Sequence, residues 1–151
     1  MVFDTNVFAY ALLGPARFGD AAAIALERHA GAICAPETVR AEFLSVAWQF
    51  VRAGLATADS AHAAVDDLED LLDRVEPVAP LRRRALELAI AHDHSPYDTL
   101  FLALAEREDV KLVTFDQALR HKFPTLTVTP PELVADASGG PIAGSGSAPS
   151  A

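Results

Sequence analysis

The chain has 151 residues, 51% of them hydrophobic, enough for one domain with a sizeable core. Its 21 acidic and 12 basic residues give a net charge of −9, which excludes a protein that grips nucleic acid through a broad basic surface; any phosphate ligand must meet a local basic patch or bound cations. The single cysteine excludes both an internal disulfide and a cysteine zinc cluster.

The first expected element is a very short strand, Val2 to Phe3, followed at once by Asp4 and an apolar, helix-like run in "VFDTNVFAYALL". A helix over residues 20–30 stops at Gly31, and "AICA" at 32–35 reads as a strand whose Cys34 is a buried thiol. The next helix, 36–53, carries Val39, Phe43, Val46, Ala47 and Phe50 at three- and four-residue steps and stops at Gly54. A helix over 57–74 is polar on one side through Asp66, Asp67, Asp70 and Asp73. "VEPVA" at 75–79 is a weak strand, interrupted by Pro77. A helix over 81–92 precedes "SPYDTLFLALAERED", in which Ser95 is a good N-cap and Pro96 a good first helical residue. Strands over 111–115 and 126–129 follow. This alternation predicts an α/β domain with a mainly parallel sheet over residues 1–135. From 136 to 151 a Gly/Ser/Pro/Ala-rich tail reads as disordered and without chemistry. No signal-type segment opens the sequence and no apolar run approaches the roughly 20 residues of a membrane span, so a soluble, cytoplasmic protein is expected.

Each of four acids has an ordinary explanation. Asp4 and Asp116 both follow a strand and precede a helix, where a carboxylate caps free backbone amides. Asp98 stands in the first turn of its helix, where negative charge is favoured, although Phe101, Leu102 and Ala105 share its face. Glu42 is harder to dismiss: it lies mid-helix, between Val39 and Val46 on the apolar side. In a parallel sheet the carboxyl ends of the first and fourth strands share one edge, so Asp4 and Asp116 converge there and Asp98 and Glu42 reach the same crevice. Four carboxylates in one partly buried cleft repel one another unless a cation neutralises them. Oxygen ligands without His or Cys suit Mg²⁺ or Mn²⁺, and the chemistry that follows is hydrolysis of a phosphodiester by metal-activated water.

Taken in order, "FDTNVF", "RAEF", "SPYDTLFLALAE" and "LVTFDQAL" resemble a PIN-domain ribonuclease, and the short single domain is most similar to the VapC-like toxins of bacterial toxin–antitoxin pairs. The resemblance implies a three-layer α/β/α fold and an Mg²⁺- or Mn²⁺-dependent endoribonuclease. It places Asp4, Glu42, Asp98 and Asp116 on the acidic positions as catalytic residues and metal ligands, with Thr5, Asn6 and Thr114 supporting them. It also implies an RNA substrate, a homodimer and a cognate antitoxin that blocks the cleft.

Arg120, His121 and Lys122 follow Asp116 closely enough to line the cleft as RNA backbone contacts. Arg82, Arg83 and Arg84 read as a solvated face. His92 and His94 are two residues apart, which puts them on different helix faces and argues against a metal pair. Trp48, Phe43 and Phe50 suit core or dimer packing better than base stacking. Two other readings remain open: a non-catalytic PIN-like interaction module, and an aspartyl-nucleophile phosphatase suggested by "VFDTN", in which Asn6 stands where that chemistry needs a second acid.

Overall fold

The computed structural model describes residues 1–136. Apart from Asp136, the tail expected from residue 136 lies outside the described residues. The elements in chain order are β1 (Val2–Phe3), α1 (Thr5–Leu13), α2 (Ala16–Arg28), β2 (Cys34–Pro36), α3 (Thr38–Arg52), α4 (Ala58–Leu71), β3 (Arg74–Glu76), α5 (Arg82–His92), α6 (Pro96–Arg107), β4 (Leu112–Val113), α7 (Gln117–Lys122), β5 (Thr127–Val128) and α8 (Pro130–Asp136).

The five strands form one sheet in the order β3-β2-β1-β4-β5, and every pairing is parallel. Chain direction across the sheet reverses once. β1 to β3 step outward on one side, and the connection through α5 and α6 carries the chain back to β4 beside β1. Right-handed crossovers put the helices before and after that reversal on opposite faces. The packing agrees: α1 to α4 and α8 contact one another, whereas α5 packs on α6, which lies against β1, β2 and β4. The β1/β4 boundary is therefore the topological switch point, the place at the carboxyl edge where parallel α/β sheets generally bind ligands.

Strands this short hold together because both faces are covered. Val2, Phe3, Leu112 and Val113 are fully buried, and α6 is buried continuously from Thr99 to Ala105, as a central helix must be. Several boundaries differ from the sequence expectation. The strand expected at 32–35 begins only at Cys34, because the Ala32 amide closes a turn on His29 and the Ile33 amide is taken by the Asp73 carboxylate. That use of Asp73 also belongs to the chain beyond α4, which ends at Leu71 rather than 74. β3 stops at Glu76, ahead of Pro77, which has no amide to continue the ladder. The second helix starts at Ala16, four residues before the expected start, and Gly31 (φ 88°) and Gly54 (φ 70°) supply the left-handed turns that follow α2 and α3. Phe43 is in the core, whereas Trp48 is 56% exposed with the Arg52 guanidinium 4.7 Å from its ring centre, so core packing of Trp48 is corrected.

Gly19 shows how closely α1 and α2 approach. A β-carbon there would lie 2.8 Å from the Tyr10 carbonyl oxygen, a backbone atom that cannot swing aside. Alanine gains at most about 1 kcal/mol of helix propensity, while overpacking of this kind costs about 1–3 kcal/mol. Gly19→Ala is therefore expected to lower stability in urea unfolding; a gain would mean that the α1–α2 contact is loose.

Candidate active site

Asp4 occupies the N-cap position of α1 but makes no side-chain cap bond. Its carboxylate turns across to β4: Oδ2 accepts from Thr114 Oγ1 at 2.7 Å and from Asn6 Nδ2 at 3.0 Å, leaving the residue 7% exposed. The capping explanation thus fails for Asp4. It holds for Asp116, whose Oδ1 accepts from the Leu119 amide at 2.9 Å and starts α7.

Thr114, fully buried, is the joint between the two strand ends. Its hydroxyl donates to Asp4 and accepts from Asn6 Nδ2 (3.1 Å) and the Asp116 amide (3.0 Å). Asn6 completes the link by accepting the Phe115 amide on Oδ1 at 3.2 Å. A Thr114→Val variant keeps the shape but leaves the Asp4 carboxylate, the Asn6 amide and the Asp116 amide each short of a partner. A loss of about 1–3 kcal/mol is expected, read by chemical denaturation; an unchanged midpoint would show that this network is not holding the strand ends.

From α3, Glu42 Oε2 accepts from Thr5 Oγ1 at 3.0 Å, so Thr5 does for Glu42 what Thr114 does for Asp4. Glu42 Oε1 is buried beside the Thr38 hydroxyl, close enough for a weak interaction but short of a well-formed hydrogen bond, and neither atom has another partner among the described residues. From α6, Asp98 lies half-buried in the first turn, and Oδ2 is 2.9 Å from His94 Nε2. His94 is the site residue that sequence reasoning missed. Its separation from His92 was the wrong spacing to test: His94 and Asp98 are four residues apart, bracketing the Ser95 cap.

The electrostatics join these acids into one cluster. Burial, opposed by the Thr114 hydrogen bond and reinforced by the charges of Asp98 and Glu42, pushes the Asp4 carboxyl up to about 7. Burial also raises Glu42, with the Thr5 and Thr38 hydroxyls offsetting and Asp98 adding to the effect. It raises Asp98 too, with His94 offsetting and Asp116 adding. Each of the four carboxylates has one oxygen held by a neighbouring donor, and among the described residues none of them forms an ion pair with a lysine or arginine. The described residues contain no group of three or more His, Cys, Asp or Glu side chains already drawn together as a metal cage. The donor chemistry of these side chains, carboxylate oxygens with one Glu42 oxygen buried and at most weakly bonded, is the kind that suits Mg²⁺ or Mn²⁺, which takes one or two direct carboxylates and keeps waters elsewhere.

The basic residues after Asp116 have separate fates. Arg120 pairs with Glu132 at 3.0 Å, Lys122 donates to the Asp93 carbonyl beside His94, and His121 is exposed. Arg84 is paired with Glu106 and Glu87, while Arg82 and Arg83 stay on the exposed side of α5, as a solvated face should. Cys34 is a buried free thiol. Among the described residues no helix is long and apolar enough to cross a membrane.

The family model of the PIN domain matches residues 1–122. Ribonuclease VapC3 of Pyrobaculum aerophilum is 36% identical over 85 residues, which are 55% of this chain. That match spans 64% of the relative's length, a little under two thirds. The crystal structure of PAE2754 from Pyrobaculum aerophilum superposes with a TM-score of 0.70 over 92% of this chain and 89% of that one, at 19% identity, which shows a shared fold.

Proposed function

Because this chain belongs to the PIN domain family, we propose that it is a divalent-cation-dependent endoribonuclease and the toxin of a toxin–antitoxin pair. The observation that carries the reading is the mutual electrostatic influence of four carboxylates, from the turns after β1 and β4 and from α3 and α6, none of which pairs with a lysine or arginine among the described residues. The relative named Ribonuclease VapC3 supports RNA as substrate, and the antitoxin partner follows from the family resemblance of the sequence motifs.

Asp4, Glu42, Asp98 and Asp116 would hold Mg²⁺ or Mn²⁺. When bound, such an ion lowers the pKa of water and offsets charge building on the phosphate. The chain's own part is positioning. Thr114 and Asn6 fix Asp4, just after β1, against the end of β4, Thr5 fixes Glu42, and the Leu119 amide fixes Asp116. No protein nucleophile is needed. An aspartyl phosphatase is disfavoured, because Asn6 is committed through both of its amide atoms to Asp4, Thr114 and Phe115 and offers no acid or base. Arg120, His121 and Lys122 are the candidates for RNA backbone contacts, Arg120 and Lys122 on release from Glu132 and the Asp93 carbonyl. A homodimer and a cytoplasmic setting complete the proposal.

The test is cleavage of a structured RNA pool by purified protein with Mn²⁺, with Mg²⁺ or with chelator, beside an Asp98→Asn variant purified identically. Metal-dependent cutting by wild type alone supports the nuclease. Cutting that persists in chelator, or is equal in both proteins, overturns it.

A further inference from the structure

The nuclease reading leaves one polar side chain of the site without a task. His94 sits in the turn between α5 and α6, with its side chain only 12% exposed. Three contacts hold it there. Its ring meets Phe123 edge-on, with centres 6.4 Å apart and planes at 83°. Its amide donates to the Ala89 carbonyl at 3.1 Å. The preceding Asp93 adopts a left-handed conformation (φ 48°) and accepts a hydrogen bond from Lys122 Nζ on its carbonyl. The turn is thereby tied to α7, the helix that Asp116 caps. From this mount the imidazole presents Nε2 at 2.9 Å to Asp98 Oδ2.

We propose that His94 is a positioning residue of the nuclease site, holding one oxygen of Asp98 with its Nε2–H so that the other faces the cation. The inference rests on the nuclease reading above. A carboxylate has only acceptors, so the hydrogen bond requires the proton on Nε2 rather than on Nδ1. Among the described residues it is His94 that meets the Asp98 carboxylate with a hydrogen bond, the Ser95 hydroxyl serving as the cap acceptor for the Tyr97 amide. An arginine at position 94 would also fix the carboxylate, but with a permanent charge that competes with the bound cation. An imidazole N–H fixes the oxygen without requiring one. Donors that orient a metal-binding carboxylate in this way typically govern metal affinity by 10- to 100-fold.

The experiment compares wild type with His94→Phe, which keeps a ring against Phe123 and lacks the donor, and His94→Gln, whose amide nitrogen reaches about as far as Nε2. Three readings are taken: the imidazole ¹H–¹⁵N spectrum of metal-free protein, Mn²⁺ affinity by electron paramagnetic resonance without RNA, and single-turnover RNA cleavage. The spectrum of wild type is expected to place a proton on His94 Nε2. Phenylalanine is expected to weaken Mn²⁺ binding and cleavage by about 10- to 100-fold, and glutamine to return both to within about threefold of wild type. An Nδ1–H tautomer, unchanged Mn²⁺ affinity in His94→Phe, or glutamine as defective as phenylalanine would overturn the proposal. If His94→Phe does not fold, the tautomer and the glutamine variant still decide. Wild type that binds Mn²⁺ and cuts RNA, with a phenylalanine variant equal to it, removes this inference and leaves the nuclease standing. Wild type that neither binds Mn²⁺ nor cuts removes both.

Discussion

Asp98→Asn is expected to keep the fold and to lose RNA cleavage by about a thousandfold. The fold survives because the Asp98 side chain is 32% exposed and its hydrogen bond with His94 can be kept by an asparagine oxygen accepting from Nε2–H. What disappears is one negative charge from a set that no lysine or arginine among the described residues neutralises. Charge stabilisation by a bound cation supplies several kcal/mol to phosphodiester cleavage, and about 4 kcal/mol of it corresponds to a factor of about a thousand. The stability change should stay within about 1 kcal/mol, since little buried contact is altered. Single-turnover cleavage and urea unfolding on the same preparations separate the two quantities. Cutting within tenfold of wild type would remove Asp98 from the site; a collapsed melting transition would make it a structural residue.

Asp4→Asn moves stability and activity in opposite directions. The Asp4 carboxyl titrates near 3.8 in an unfolded chain and is pushed up to about 7 by burial in the fold. Below about pH 4 both states carry the proton, and the fold has no penalty from this group. Between about 4 and 7 the unfolded chain has released a proton that the folded state retains, so the unfolded state binds fewer protons and stability falls as pH rises. Above about 7 the loss is complete, on the order of 4 kcal/mol, or roughly 10 °C in melting temperature for a chain of this size. Glu42 and Asp98 are shifted in the same direction and steepen the decline.

Asparagine keeps an acceptor for Thr114 and Asn6 and has no charge to desolvate. The variant should therefore melt higher than metal-free wild type near neutral pH, with the difference vanishing near pH 4, while cleavage is lost. Mn²⁺ should restore wild type at neutral pH and do much less for the variant. Thermal melts across pH, with and without Mn²⁺, check the sign; a variant that melts lower at neutral pH would mean that the ionised Asp4 is already compensated within the chain.

The order of strands and helices was legible in the sequence because burial imposes period and punctuation on it. Gly31 and Gly54 end helices, Ser95 and Pro96 begin one, and α6 announces itself as an apolar run. The four acids of the proposed site were conspicuous in the sequence as well, since each stands beside a strand end or on an apolar helix face where a carboxylate is costly. Spacing along the chain could not assign partners to them. That Asp116 caps a helix while Asp4 does not, although both sit in the same local pattern, was decided by Thr114, 110 residues from Asp4. Ile33 gives its amide to Asp73 rather than to the ladder, and His94 serves Asp98 rather than pairing with His92, for the same reason. Local sequence fixes where backbone amides need caps and where apolar faces need cover. Hydrogen-bond partners and the raised Asp4 carboxyl come from burial between β1, β4 and α6, elements brought together only when the chain crosses back at the switch point.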